Sequence, residues 1–191
     1  MDGMGAFEGC CRRAGAWTRQ GRYAEAEATF RDAVRIKPEY ARAHGDLGEM
    51  LAEQHRYRES EAAYRAVIRI TPDAPAPHTA LAGVLLAQRR FADAAAECRE
   101  AIRLNFDEPR AHINLWDALE FLGSYDELEA AARAVIERRP DHADAHARLG
   151  RALFARGRYA EAATAYQAAV GLHPEVARFR DGLAAALSKV E

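Results

Sequence analysis

The sequence predicts an all-α fold, an α-α superhelical solenoid of five 34-residue helix-turn-helix units followed by a capping helix. The first observation is a fixed interval between helix-ending prolines, since Pro38 and Pro72 are 34 residues apart, as are Pro140 and Pro174. A period of this length is typical of solenoids built from helix pairs. Phe106 stands where the missing proline would fall, so the register continues through it without insertion or deletion.

Two further observations keep the same phase. An aromatic residue begins each second helix: Tyr23, Tyr57, Phe91, Tyr125 and Tyr159. An acidic residue follows two positions later, at Glu25, Glu59, Asp93, Glu127 and Glu161, where a carboxylate meets the positive end of the helix dipole. The predicted organisation is a leader at 1–6, units at 7–40, 41–74, 75–108, 109–142 and 143–176, and a capping helix at 177–191.

The turn inside each unit is predicted from the residue that closes the first helix. Gly21, Gly123 and Gly157 occupy this position, where a left-handed residue ends a helix at little cost. His55 and Arg89 take the same position in the second and third units. A side chain in this conformation is expected to cost up to about 1 kcal/mol at each.

The fourth unit departs from the pattern, because Trp116 replaces the small residue found in the first helix of other units and Ala132 replaces a larger one in the second helix. Cores tolerate such exchanges when the total volume is kept. We therefore interpret the pair as a local repacking of one hairpin. The alternative is that Trp116 faces a ligand.

Composition limits the classes of function. The chain has 191 residues, 49% hydrophobic content and a formal net charge of −2, with a sequence pI of about 6.4. This balance argues against a nucleic-acid or acidic-membrane partner. The first residues lack a secretion signal and no apolar run is long enough to span a membrane, so we expect a cytoplasmic protein without a membrane partner. Three cysteines without a Cys-x-x-Cys spacing indicate no disulfide framework.

With the register fixed, the chain resembles the tetratricopeptide repeat (TPR) family from Phe7 to Val190. The resemblance is carried in the second unit by Leu47, Gly48, Leu51, Tyr57, Tyr64 and Pro72, and in the fifth by Leu149, Gly150, Leu153, Tyr159, Ala162, Tyr166, Ala169 and Pro174. It implies a right-handed stack of antiparallel helix pairs, with the first helices lining a concave groove. It also implies a scaffold or peptide receptor without catalytic repeats.

Histidines recur once per unit at His44, His78, His112 and His146. Equivalent residues on neighbouring packed helices are about 8–10 Å apart, whereas zinc needs its nitrogen ligands within about 2.1 Å. We therefore interpret them as half-buried structural residues. A second candidate, His142 with His146, lacks a third ligand. The sequence holds no phosphate loop or hydrolase motif, so we expect no metal, no cofactor and no enzymatic activity.

The groove lining follows from helical geometry, because steps of four, three and four residues along each first helix stay on one face. The predicted partner-binding residues are Arg42, Asp46, Glu49, Glu53, Arg110, Asn114, Asp117, Phe121, Arg148, Arg151 and Arg178. Chaperone-binding relatives hold a peptide carboxylate with lysine and asparagine, but Thr79 and Gly83 stand at the positions that would need them. A carboxylate clamp of that type is therefore not expected.

The leading hypothesis is a protein-protein interaction module that binds a peptide or helix of a partner protein. Arginines at the Arg148–Arg178 end would pair with an acidic partner segment, and Phe121 would serve as an apolar anchor. Replacing Arg148 and Arg151 with alanine is expected to weaken binding without unfolding the chain. Three alternatives stay open: the charges only solvate the surface, the chain self-associates instead of acting as a monomeric receptor, or it is the docking part of a larger enzyme complex.

Overall fold

The computed structural model describes residues 3–190, and the side chains of residues 9–190, entirely through helices and the turns between them. The helices are α1 (Gly3–Arg19), α2 (Tyr23–Ile36), α3 (Ala41–Glu53), α4 (Tyr57–Ile70), α5 (Pro75–Ala87), α6 (Phe91–Leu104), α7 (Pro109–Leu122), α8 (Tyr125–Arg138), α9 (Ala143–Ala155), α10 (Tyr159–Leu172) and α11 (Ala177–Leu187). The predicted all-α helix-pair fold is therefore confirmed.

The ends of the chain differ slightly from the sequence expectation. Helix α1 already begins at Gly3, so residues 3–6 of the predicted leader are helical, whereas residues 1 and 2 lie outside the described residues. Helix α11 ends at Leu187 within the predicted capping segment, whose last residue also lies outside the described range.

The chain forms two compact units, each larger than one of the 34-residue helix pairs, or repeats. The first compact unit ends at Asn114 and the second begins at Leu115, inside α7. In the first unit, each helix from α1 to α6 packs against the next one along the chain. In the second unit, α8 to α11 do the same, and α11 also contacts α9. Sequential packing of this kind is what a repeat of helix pairs requires, since each pair buries its apolar face on its neighbour.

The turn from first to second helix has the same hydrogen bonds in all five repeats. In the last one, the Arg158 amide donates to the Leu153 carbonyl at 2.9 Å and the Gly157 amide to the Phe154 carbonyl at 3.0 Å. This is the Schellman arrangement, which needs a left-handed residue just after the helix. Gly21, Gly123 and Gly157 have φ values of 74°, 69° and 76°, while His55 and Arg89 have 59° and 60°.

Close approach of first and second helices depends on glycine under tyrosine. A β-carbon on Gly48 would lie 3.2 Å from the Tyr64 ring. In the second unit the contacts are tighter, since a β-carbon on Gly150 would lie 2.9 Å from the Tyr166 ring and one on Gly182 would lie closer still. The ring of Tyr166 therefore packs directly on the backbone of α9 and α11.

Trp116 belongs to the core of the second unit. Its side chain is 1% exposed, and its ring lies edge-on to that of His142 with the centroids 5.9 Å apart. Ala132, the small residue of the same repeat, is also fully buried. Burial of the indole excludes the ligand-facing alternative and agrees with local repacking.

An ion pair between residues 29 positions apart recurs along the chain. It joins the second helix of one repeat to the N-terminus of the second helix of the following repeat. Its members are Glu27 with Arg56, Glu61 with Arg90, and Glu129 with Arg158. Each arginine also bonds the acidic residue three positions later, in the first turn of its own helix. The pair thus fixes both the start of a helix and its contact with the preceding one.

Glu129 is the acidic residue of this pattern that bonds three arginines. It is almost fully buried and accepts hydrogen bonds from Arg133, Arg156 and Arg158. Burial alone would raise the pKa of its carboxyl group, but the hydrogen bonds from Arg133 and Arg158 and the charge of these arginines outweigh burial and lower the pKa. The folded state therefore holds Glu129 ionised.

We expect Gly150→Ala to lower the free energy of unfolding by about 1–3 kcal/mol, because the added methyl group meets the Tyr166 ring. Gly171→Ala is the control, since Gly171 is in helix α10 and its added β-carbon meets nothing within 4 Å. That variant should gain up to about 1 kcal/mol from helix propensity. Urea unfolding of both variants measures the effect, and equal stability would contradict the packing argument.

We expect Glu129→Gln to lower the free energy of unfolding at pH 7 by about 1.5–3 kcal/mol, the range for hydrogen bonds to charged groups. A lowered pKa in the folded state stabilises the protein above the unfolded carboxyl pKa, and this stabilisation is lost as the pH falls through the folded pKa. The difference from wild type, measured by chemical denaturation, should therefore shrink as the pH is lowered from neutral into the acidic range. Glu137→Gln, an exposed site on the same helix, should change little at any pH.

Candidate functional site

The first unit contains a groove whose floor is the exposed face of α5. Its cavity of about 480 Å³ is lined by Glu49, Ala52, Glu53, Tyr57, Tyr64, Ala76, Thr79, Ala80, Gly83, Val84, Glu108, Arg110 and Asn114. We call it the α5 groove. Ala76, Ala80 and Gly83 make its floor shallow, while α3 supplies one wall and the first turns of α7 supply the other. Four predicted site residues, Glu49, Glu53, Arg110 and Asn114, therefore line the same cavity.

The charged groups of this groove are not neutralised within the first unit. Glu49, Glu53 and Arg110 form no ion pair with any described residue, although Arg110 and Glu108 belong to the same wall. Asn114 is held in place, since its amide nitrogen donates to the Thr79 carbonyl at 3.3 Å. The groove thus presents fixed polar groups and uncompensated charges together.

The acidic wall adds to the effect of burial on Tyr64. Burial raises the pKa of its phenol to about 12, and the negative charges of Glu49, Asp46 and Glu53 add to this effect, while Arg110 opposes it. Burial likewise raises the pKa of Asp46, and Glu49 raises it further, against a lowering by Arg42. Helix α3 is therefore a source of negative potential.

A second cavity, of about 380 Å³, lies on the other side of the same α3 residues. Its lining includes Arg42, Asp46, Glu49 and Glu53 from α3, with Arg12 and Arg19 from α1. Arg42 and Asp46 form a loose ion pair of 3.7 Å here. Positive groups from α1 are thus available on this side, unlike the α5 groove, where only Arg110 is basic.

The predicted arginines of the second unit are all paired internally. Arg148 donates to Glu120 at 2.6 Å and to Asp117 at 2.7 Å, and Arg151 lies 3.0 Å from Glu120. Arg178 bonds to Asp144. The chain therefore already supplies a counterion to each of these arginines, and their contact with an acidic partner stays a prediction.

Phe121 is the most exposed large apolar residue in the described part of the chain, at 66%. It occupies the last predicted lining position of α7, in the second unit, and Asp117 lies one turn earlier. Exposed aromatic rings are common anchors in protein interfaces. Its role as an anchor stays a prediction.

The histidines serve the turns between repeats. The Nε2 atoms of His44, His112 and His146 lie 2.9, 2.7 and 2.8 Å from the carbonyl oxygens six residues earlier, at Pro38, Phe106 and Pro140. His78 differs, since its Nδ1 lies 2.7 Å from Glu97. The equivalent positions in other repeats hold Thr29, Ala63, Ala131 and Ala165, so the sequence contained the signal for this exception.

The described residues include no group of three or more histidine, cysteine or acidic side chains arranged to hold a metal ion. Helices long and apolar enough to cross a bilayer are likewise missing from this part of the chain.

Sequence reasoning found the residues of the α5 groove but not their state of pairing. Glu120 was missed altogether, although it bonds two of the predicted arginines. The spacing of 28 residues between Glu120 and Arg148 is close to the repeat period and could have indicated a contact between successive first helices.

Comparison with known proteins places these observations in a family. The family model described as Tetratricopeptide repeat matches residues 18–75, 46–109 and 115–177. The fold is similar to YrrB, described as a TPR protein with an unusual peptide-binding site, with 20% identity over 90% of this chain and 89% of that one and a TM-score of 0.76. MamA gives 15% identity over 88% and 92%, with a TM-score of 0.79.

A thermophilic TPR protein of Thermus thermophilus, TTC0263, matches with 20% identity over 95% of this chain and 99% of that one, at a TM-score of 0.59. The curated proteins give no significant sequence match. At these identities the structural likeness establishes the fold.

We expect Arg148→Ala to lower the free energy of unfolding by about 1–3 kcal/mol, because Glu120 and Asp117 lose a partly buried partner. Arg180→Ala is the matched control, since Arg180 is exposed on α11 and has no ion pair with a described residue. Chemical denaturation compares the two variants. A stable Arg148 variant would restore the sequence-based view of this residue as a free donor.

Proposed function

Because the chain belongs to the tetratricopeptide repeat family, whose members serve as protein-interaction scaffolds, we propose that it binds a segment of a partner protein in the α5 groove. The family and its structural relatives are generally non-enzymatic interaction modules. The described residues add no cluster suited to metal catalysis. Recognition is thus the function that the arrangement supports best.

One observation carries this proposal: residues from three first helices converge on a single cavity that has fixed polar groups and uncompensated charges. Glu49 and Glu53 come from α3, Gly83 from α5, and Arg110 and Asn114 from α7. Charged residues that only keep a surface soluble do not require a floor of small residues between them. Small residues there let the backbone of a bound segment approach closely.

The α5 groove has the size and openness for a short segment. Its volume of about 480 Å³ falls within the usual range of about 300–1,000 Å³ for ligand sites. YrrB supports the proposal by analogy, since that relative of similar fold is described as having a peptide-binding site. Binding of one segment requires no second copy of the chain, so we propose a monomeric receptor.

The test is a steric block of the groove floor. Gly83→Trp fills the cavity without disturbing the helix, because a β-carbon at Gly83 meets only the Asn114 amide at 3.9 Å. Ala92→Trp places the same side chain on exposed helix α6 and serves as the control. Wild-type protein would select binders from a phage-displayed library of random dodecapeptides, and fluorescence anisotropy would measure their affinity for each variant.

We expect the selected peptides to bind wild type and Ala92→Trp equally and Gly83→Trp at least about tenfold more weakly, since a tenfold change corresponds to about 1.4 kcal/mol of lost contact. Circular dichroism would first show that both variants fold. Light scattering across a dilution series would check that the free protein is monomeric. Selected peptides that bind Gly83→Trp as tightly as wild type would contradict the α5 groove as the site.

A further inference from the structure

The α5 groove has an excess of negative charge. Three carboxylates line it, from Glu49, Glu53 and Glu108, against one guanidinium, from Arg110. Neither Glu49 nor Glu53 has an ion-pair partner among the described residues, although Arg12 and Arg19 of α1 line the second cavity on the other side of these carboxylates. The pKa of Tyr64, raised by burial and then by these carboxylates, shows their field reaching the groove wall.

The corresponding surface of the second unit lacks this excess. There the cavity of about 220 Å³ is lined by Arg148, Arg151 and Arg178 together with Glu120 and Asp144, and each of these arginines bonds one of the two acids. Asp117 supplies a further counterion to Arg148. The acids of this surface therefore have arginine counterions, whereas Glu49 and Glu53 form no ion pair in the α5 groove.

Uncompensated carboxylates restrict what can cover them. An acidic segment would add like charge to Glu49 and Glu53 and be repelled. An apolar segment would remove both carboxylates from water without replacing their hydrogen bonds, which costs free energy. A lysine or arginine side chain replaces the lost water with a charge-assisted hydrogen bond.

The position of the acids selects where the basic side chain lies. Glu49 and Glu53 are four residues apart on α3, so they share one face of the helix and can bind the same cation. Arg110 stands on the opposite wall and opposes a cation there. The floor between the walls consists of Ala76, Ala80 and Gly83, which leave room for the segment's backbone.

We infer that the partner of the α5 groove is a basic protein segment, which places a lysine or arginine side chain between Glu49 and Glu53 and runs its backbone over the alanine-glycine floor of α5. This inference rests on the proposed function and adds the chemistry of the partner. It reverses the sequence-based expectation of an acidic segment, which depended on arginines that the chain pairs internally.

The experiment uses the same dodecapeptide library, with peptides blocked at both ends so that terminal charges play no part. Wild type should enrich lysine and arginine over aspartate and glutamate. The Glu49→Gln/Glu53→Gln double variant should bind the selected peptides on the order of tenfold more weakly, from two partly exposed ion pairs. Arg110→Gln should bind them more tightly, since it removes a positive charge that repels a basic segment, and weaker binding would contradict the inference.

Matched controls use exposed charges outside the groove. The Glu39→Gln/Glu137→Gln double variant also removes two negative charges, but outside the groove. Arg69→Gln on α4 removes one positive charge. Both variants should leave the affinity unchanged. Raising the salt concentration should weaken binding to wild type more than to the Glu49→Gln/Glu53→Gln variant, because screening acts on the ion pairs that this variant lacks.

The outcomes separate this inference from the proposed function. The selected peptides could fail to bind Gly83→Trp and yet show no enrichment in lysine and arginine and no loss of affinity for the Glu49→Gln/Glu53→Gln variant. That result would support the groove as the receptor site and overturn the inference of a basic partner. Enrichment of acidic peptides would overturn it as well. Peptides that ignore the Gly83→Trp block would instead overturn the proposed function.

Discussion

The structure depends on the fact that one helix pair cannot bury its own apolar face. Each pair in a compact unit must therefore meet the next at a fixed distance and angle, which makes the interval of 34 residues a physical constraint. Glycine under tyrosine sets the distance at Gly48 and at Gly150. The left-handed residue in each turn sets the angle at which the second helix returns.

Ion pairing adds to this packing and determines which charged side chains have a counterion within the chain. Glu61 and Glu129 are nearly buried, and burial alone would raise the pKa of each carboxyl group. Hydrogen bonds from Gln88 and Arg90 to Glu61, and from Arg133 and Arg158 to Glu129, lower each pKa below its ordinary value. The same repeat spacing brings Glu120 to Arg148 among the first helices. A periodic sequence therefore forms ion pairs at regular intervals. Where one member of such a pair is missing, the other keeps a charge without a counterion.

The sequence was sufficient for features that depend on neighbours along the chain. The period, the helix starts and the left-handed positions, including His55 and Arg89, all follow from local patterns. Glu49, Glu53, Arg110 and Asn114 of the α5 groove also followed from helical geometry, whereas Glu108 and Tyr64 were not among the predicted lining residues. The predicted lining left out the ion pairing of Arg148 and Arg178, since their partners lie roughly one repeat away and their rotamers depend on the packed structure.

This difference changes how a binding surface in such a repeat is recognised. A charged residue on a first helix is a stronger candidate for a contact when its neighbours leave it without a counterion, because a partner then replaces water and not an existing ion pair. Arg148 has two counterions within the chain, whereas Glu49 and Glu53 form no ion pair with a described residue, which is why the proposal places recognition at these two carboxylates. In the proposed receptor, specificity would depend on the lack of an ion pair to Glu49 and Glu53 on the α5 side of α3 as much as on the residues that line the groove.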